Sequence, residues 1–298
     1  MSQVAGTQLL VTGASGFLGR TIVVRAQAHG LTSFAATRAE VDQSDPKALA
    51  RLIDQVSPTY AIDAAGILPG RGNVSDNVVL TQSWLDALAL VGHVPRLVLT
   101  GSAAVYGTGS AANRATREDD PMQPISDYGR AKLKALQLGR AACSSGDLDV
   151  QTGIVFNLIG EGQPAHLVPQ VFIRRAMEDP HAVQNVARTE TVRDFTDVED
   201  AADALIAMAM RGQKGDVLNI ATGQPARIRD VLDSLEGMIG LRWQAEAAPA
   251  EKNEIDVCYG DPARLMSRTG WRPRYDLDAA LTRAIEVAQA SRAGERGV

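Results

Sequence analysis

Tyr128 and Lys132 lie one helical turn apart in Tyr128-Gly129-Arg130-Ala131-Lys132, so a helix would place a phenol and an ammonium on one face. That face continues through Ala131, Ala135, Leu138 and Ala142 and would pack inward. A phenol of unperturbed pKa about 10 exchanges protons poorly at neutral pH. An ammonium held beside it favours the phenolate, and the pair becomes an acid–base device. By itself the spacing is equally compatible with a surface Tyr/Lys pair. A third group adds to it: Ser102, in Thr100-Gly101-Ser102-Ala103-Ala104-Val105-Tyr106-Gly107, follows the apolar run Arg96-Leu97-Val98-Leu99-Thr100. A hydroxyl there could fix the substrate oxygen that Tyr128 protonates or deprotonates, or could simply bond its own turn.

A second constellation opens the chain. In Thr12-Gly13-Ala14-Ser15-Gly16-Phe17-Leu18-Gly19 the glycines are spaced G-x-x-G-x-x-G between an apolar run and a helical pattern. Gly13 suits the tight turn, Gly16 close approach to a pyrophosphate and Gly19 helix–sheet packing. The phosphates would sit at the helix N-terminus, so Ser15, Phe17 and Leu18 join the candidate dinucleotide contacts. Ala64, Ala65 and Gly66, after the third apolar run, complete them. In Phe34-Ala35-Ala36-Thr37-Arg38 no acid is present for a ribose 2′-hydroxyl, whereas Arg38 could pair with a 2′-phosphate. NADP is therefore preferred, with NAD possible.

These groups need a scaffold, and the pattern supplies one. Strands are expected at 8–12, 32–37, 60–64, 96–100 and 150–155, alternating with helices at 17–29, 46–56, 76–91 and 127–142. Asp45-Pro46 reads as an N-cap with proline at the first helical position, and Gly30 as a helix stop. Such alternation implies right-handed crossovers and a parallel sheet covered on both faces, an α/β fold of Rossmann-type doubly wound form. Ligands bind beyond the carboxyl ends of such strands, where Ser102 would lie. After Phe156 the pattern loosens to helices at 167–177, 200–210, 228–239, 262–268 and 277–290, with a strand at 216–220. The expected division is a dinucleotide-binding domain, 1–156, that also carries Ser102, Tyr128 and Lys132. Residues 157–298 form mainly a smaller substrate-binding lobe, whose strand at about 216–220 rejoins the main sheet. The lobe's elements are short and are not expected to form a second core, and residues 291–298 are expected to fray.

The motifs together resemble those of the extended short-chain dehydrogenase/reductases, the superfamily of nucleotide-sugar epimerases, dehydratases and 4-keto-sugar reductases. The resemblance spans nearly the whole chain and adds Val155-Phe156-Asn157, Gly160-Glu161-Gly162-Gln163, Arg193-Asp194-Phe195-Thr196-Asp197-Val198, Cys258-Tyr259-Gly260-Asp261-Pro262 and Thr269-Gly270-Trp271-Arg272-Pro273. It implies that Ser102, Tyr128 and Lys132 are catalytic, with Tyr128 and Lys132 also touching the cofactor. It implies that Asp42 reaches the adenine, and that Asn157 and Arg193 join Ser102 in holding a nucleotide-sugar substrate. It also implies a homodimer through the helices at 76–91 and 127–142. Two departures stand out. The acids that dehydratases of this kind carry after the serine are Ala103 and Ala104 here, which argues against 4,6-dehydration. The arginine that many carry before Cys-Tyr-x-Asp-Pro is absent from Glu251-Lys252-Asn253-Glu254, where Lys252 offers only a point charge.

Three readings follow: a reductase of a 4-keto nucleotide sugar, a nucleotide-sugar 4-epimerase with tightly bound NAD, and a non-catalytic dinucleotide sensor. Composition narrows the partners. The 298 residues carry 30 Lys+Arg against 35 Asp+Glu, a net charge of −5, and 45% are hydrophobic. No basic stripe suggests nucleic acid, and no apolar run suggests a membrane span. The N-terminus lacks the basic start of a secretory leader, so a cytoplasmic protein is expected. Cys143 and Cys258 are too few for a cysteine-based metal site, and His29, His93, His166 and His181 have no ligand spacing, so no metal is expected.

Overall fold

In a computed structural model, residues 8–108, 114–146, 148–247 and 255–295 are described. The first half alternates strand and helix: β1 (Leu9–Thr12), α1 (Phe17–Ala26), β2 (Ser33–Ala36), α2 (Pro46–Val56), β3 (Tyr60–Asp63), α3 (Asp76–Leu88), β4 (Arg96–Ser102), α4 (Asp127–Ser145) and β5 (Val150–Val155). The second half runs β6 (Asn157–Ile159), α5 (Gln170–Glu178), β7 (Val183–Ala187), β8 (Val192–Asp197), α6 (Val198–Arg211), β9 (Val217–Ile220), β10 (Pro225–Arg227), α7 (Ile228–Ile239), β11 (Arg242–Glu246), β12 (Val257–Cys258), α8 (Ala263–Thr269) and α9 (Leu277–Glu295). Six strands form one parallel sheet in the order β2-β1-β3-β4-β5-β9. The order reverses beside β1, which opens a crevice beyond the strand ends there.

Local chemistry sets the helix starts. Asp45 caps α2 by accepting from the Lys47 amide at 2.9 Å, with Pro46 at the first helical position. Ser126 caps α4 through the Gly129 amide, and Asp197 caps α6 through the Glu199 amide. Gly30 takes the left-handed conformation that ends the turn following α1. Helix α5 starts at Gln170, later than its periodicity suggests, because Val168 precedes a proline and is disfavoured from helical geometry. Helix α9 runs past the expected end to Glu295, and Arg292 donates to the Met177 carbonyl of α5.

Apolar contacts cover both sheet faces. Leu9, Val11, Ile22, Leu205, Leu218 and Trp271 belong to one cluster, under α1 and α6. Leu10, Leu49, Ile53, Trp84, Leu97 and Leu99 belong to the other, under α2 and α3. More of the second half returns to the main sheet than the strand alone. Nearly every residue of α6 is buried, packed against α1 and the central strands, and α8 packs on α6 and β9. The expectation that the lobe lacks a core of its own is corrected by a third cluster. Phe172, Ile173, Phe195, Leu232, Leu241 and Leu281 meet there, drawn from α5, β8, α7, the link between α7 and β11, and α9. It was hidden in the sequence because β7, β8 and β11 are short strands in which apolar residues are interspersed with polar and charged ones.

Charged contacts tie the C-terminal segment to α1 and α6. Asp203 accepts two hydrogen bonds from Arg25, each 2.8 Å, and lies 2.8 Å from His29 and 2.9 Å from Arg274. Burial pushes its carboxyl up, but the Arg25 guanidinium and the other partners outweigh burial and hold it below the usual range. Leu205 is fully buried between α6 and the sheet. Truncating it, Leu205→Ala, is expected to cost about 2–5 kcal/mol, read as a lower urea midpoint with unchanged m-value. An unchanged midpoint would contradict the assignment of α6 to the main sheet's cover.

Candidate active site

The crevice is shaped first by missing side chains. Gly13 has φ 68°, and a Cβ on it would lie 2.6 Å from the Ala65 nitrogen. A Cβ on Gly19 would lie 2.1 Å from the Gly13 carbonyl oxygen. The loop therefore presses on the segment after β3 while α1 presses on the loop, as their assigned turn and packing roles require. Gly16 is looser, its Cβ position 3.1 Å from the same oxygen, and it caps α1 facing the crevice.

Lys132 is 7% exposed, and its Nζ donates to the Thr100 carbonyl at 2.9 Å. Opposite lies the fully buried Asp63, which accepts from the Thr12 hydroxyl at 2.8 Å and the Ala65 amide at 3.1 Å. Burial pushes the Asp63 carboxyl up, while the Thr12 bond and the Lys132 charge pull the other way. A void of about 10 Å³ separates these groups, bounded also by Asn77, Thr81 and Thr100. The Thr100 hydroxyl is buried without a hydrogen-bond partner among the described residues. That is room and polarity for one water molecule. Sequence reasoning passed over Asp63, Asn77 and Thr100. The signal available was polar residues ending otherwise apolar strands.

Ser102 is the last residue of β4 rather than the first beyond it, and its Oγ accepts from the Ala104 amide at 3.3 Å. The hydroxyl thus makes the local turn contact, and that contact leaves its proton available to donate. Ser102, Tyr128 and Lys132 all line one cavity of about 770 Å³. The same lining includes Gly16, Phe17, Leu18 and the Ala64, Ala65 and Gly66 segment. It extends past Asn157 to Arg193, then to apolar residues of the lobe, including Phe172, Val186, Phe195 and Ile228. Among the described residues its charged members are Lys132, Arg188 and Arg193, with no aspartate or glutamate on the lining.

Arg193 donates to the Val192 and Ile255 carbonyls, and burial pushes its guanidinium down. The adjoining Asp194 explains the next position of the motif. It accepts from the Thr222 amide and hydroxyl and the Gly223 amide, joining β8 to the turn after β9. Gln163 and His166, in the loop between β6 and α5, also line the cavity, so His166 has a place at the site that its spacing did not suggest. Cys258 is buried next to this region, and burial pushes its thiol up to about 11.

Some expected residues are not on the lining. Gly13 and Gly19 lie beneath the loop, and Ser15 is exposed. Arg38 is exposed in the turn after β2, and Asp42 accepts from the Ser44 amide and hydroxyl. An acid does stand near the end of β2. Glu40 accepts from the Thr37 amide at 2.8 Å and from the Thr37 hydroxyl, which hold its carboxyl below the usual range. Lys252, the point charge noted where many relatives carry an arginine, lies outside the described residues. No group of three or more histidine, cysteine, aspartate or glutamate side chains that could hold a metal ion, and no helix apolar and long enough to cross a membrane, occurs among the described residues.

Comparison with known proteins agrees with this geometry. The chain is 27% identical to dTDP-6-deoxy-L-talose 4-dehydrogenase (NAD(P)(+)) of Kitasatospora kifunensis, over 96% of this chain and 97% of that protein. It is 27% identical to GDP-6-deoxy-D-mannose reductase of Pseudomonas aeruginosa, over 93% and 95%. The structure of RMD from Pseudomonas aeruginosa complexed with NADPH superimposes with a TM-score of 0.82 at 25% identity, covering 96% of this chain and all of that one. The model of the NAD dependent epimerase/dehydratase family matches residues 9–221, well over half the sequence, and the chain belongs to that family.

Proposed function

We propose that the protein reduces a 4-keto sugar carried on a nucleoside diphosphate, using NADPH. The observation that carries this reading is the lining of the cavity. In a chain of net charge −5, the charged residues of the lining are all cationic among the described residues, with Ser102 and Tyr128 between the glycine loop and the lobe. Two anionic ligands, a dinucleotide and a nucleotide sugar, suit such a cavity.

The glycine loop suits the dinucleotide because Gly13 and Gly19 let it lie close against the segment after β3 and against α1, while Gly16 offers bare backbone to the cavity at the helix N-terminus. When bound, the nicotinamide supplies the hydride. Ser102 donates a hydrogen bond from its hydroxyl to the ketone oxygen and orients the carbonyl, keeping its own proton. Tyr128 delivers its phenolic proton to that oxygen as negative charge develops there. Lys132, fixed by the Thr100 carbonyl, stabilises the charge left on the phenol oxygen. Ala103 and Ala104 supply no acid for elimination, so the chemistry stops at carbonyl reduction. The second half of the chain acts as the substrate lobe, with Asn157 and Arg193 toward the diphosphate. A homodimer through α3 and α4 and a cytoplasmic setting complete the reading.

The preference for NADPH rests on the turn after β2. Glu40 is already engaged by Thr37, and Arg38 is exposed at the position suited to a 2′-phosphate. Arg38→Gln is therefore expected to raise KM for NADPH about tenfold while leaving KM for NADH nearly unchanged. Equal effects on both would reject the role of Arg38. Purified protein supplied with 4-keto-6-deoxy sugars of GDP, dTDP and UDP is expected to oxidise NADPH with at least one of them. Tyr128→Phe should lower kcat by about 10²–10⁴-fold with KM little changed. A Tyr128→Phe enzyme retaining full activity would refute the assignment of the proton donor.

A further inference from the structure

We propose that Arg188 is a second diphosphate-binding guanidinium of the cavity, and that it is held by Asp256 until the substrate's diphosphate displaces that carboxylate. This rests on the nucleotide-sugar reading and goes beyond it, since that reading gives neither Arg188 nor Asp256 a role.

Arg188 stands in the turn between β7 and β8 with φ 58°, a left-handed conformation that residues other than glycine, asparagine and aspartate seldom take. The turn is closed by the Thr191 amide, which donates to the Arg188 carbonyl at 3.1 Å. That backbone puts the arginine on the cavity lining beside Thr191 and Arg193. The two guanidiniums are close enough for the charge on Arg188 to oppose that on Arg193. Two like charges facing one cavity repel each other unless an anion lies between them, and a diphosphate presents oxygens to both in the fork geometry that guanidinium favours.

Asp256 supplies a counter-charge in this structure. It lies 2.9 Å from the Arg188 guanidinium, immediately before β12, and its carbonyl accepts from the Val192 amide at 2.7 Å. The Asp256 side chain is 84% exposed and that of Arg188 only 27% exposed. The carboxylate therefore sits at the rim, in water, while the guanidinium reaches inward. An exposed carboxylate holds an arginine weakly, so a doubly charged ligand arriving from the cavity side can replace it at little cost. Asp256 is thus a competitor for Arg188, and removing its charge should help the ligand.

The test is calorimetric titration of GDP and of UDP into the full chain. Arg188→Gln is expected to weaken binding about tenfold or more, and Arg188→Lys to recover only part, because an ammonium lacks the fork. Asp256→Asn, a near-isosteric rim substitution, is expected to tighten binding about threefold. Binding by Arg188→Gln within twofold of wild type, or weaker binding by Asp256→Asn, would overturn the proposal while leaving the nucleotide-sugar reading intact. Failure of wild type to bind either nucleotide would overturn both.

Discussion

The structure depends on one buried charge. Taking the Lys132 ammonium out of water costs several kcal/mol unless other groups replace its hydration. The replacements come from the centre of the sheet. Thr100 of β4 gives its carbonyl, and Asp63 of β3, itself held by Thr12 of β1, faces the ammonium across the small void. Three neighbouring strands and α4 must therefore be in register before Lys132 can be buried at all. Their register also fixes the neighbouring positions. Ser102 ends the strand whose Thr100 holds Lys132, and Tyr128 lies one turn before Lys132 on α4. The glycine loop continues directly from Thr12. A polar cluster beneath the cavity thus fixes, through backbone geometry, where Ser102 and Tyr128 stand on its wall.

Electrostatics distribute the remaining roles. Much of the chain's acid is consumed in structural tasks. Asp194 organises the turns behind Arg193, Asp203 gathers Arg25, His29 and Arg274, and Asp45 and Asp197 cap helices. With those carboxylates turned elsewhere, the cavity presents cations to its ligands. Such a field concentrates anions in the cleft even when the whole molecule is negative.

The first half of this architecture was legible from the sequence because its signals are local. Strands β1, β3 and β4 carry short apolar runs, Asp45-Pro46 states where α2 begins, and the glycine spacing states where a strand must meet a helix. The candidate groups Ser102, Tyr128 and Lys132 could be ordered along the chain and placed at strand ends before any coordinates. The lobe was less legible because its structure arises from non-local pairing. Strand β8 pairs with β6, β10 and β12, and β7 pairs with β11 some sixty residues away, as in Val183 with Arg242. The part of Asp63 was hidden for a related reason. A single acid ending the strand Tyr60-Ala61-Ile62-Asp63 reads as a polar terminus, and only the approach of Thr12 and Lys132 from distant segments makes it a partner. Arg188 was invisible as well, since its place on the cavity comes from a turn between two strands that the periodicity did not reveal.

A reductase must exchange its dinucleotide at every turnover, whereas an enzyme that oxidises and re-reduces one sugar has no need to release it. The most direct measurement is therefore to denature freshly purified protein and quantify the released dinucleotide by mass spectrometry, then to titrate the apoprotein with NADPH and NADH. The account predicts far less than one dinucleotide per chain and tighter binding of NADPH than of NADH. NAD recovered at close to one per chain would contradict it and assign the same cavity to epimerisation.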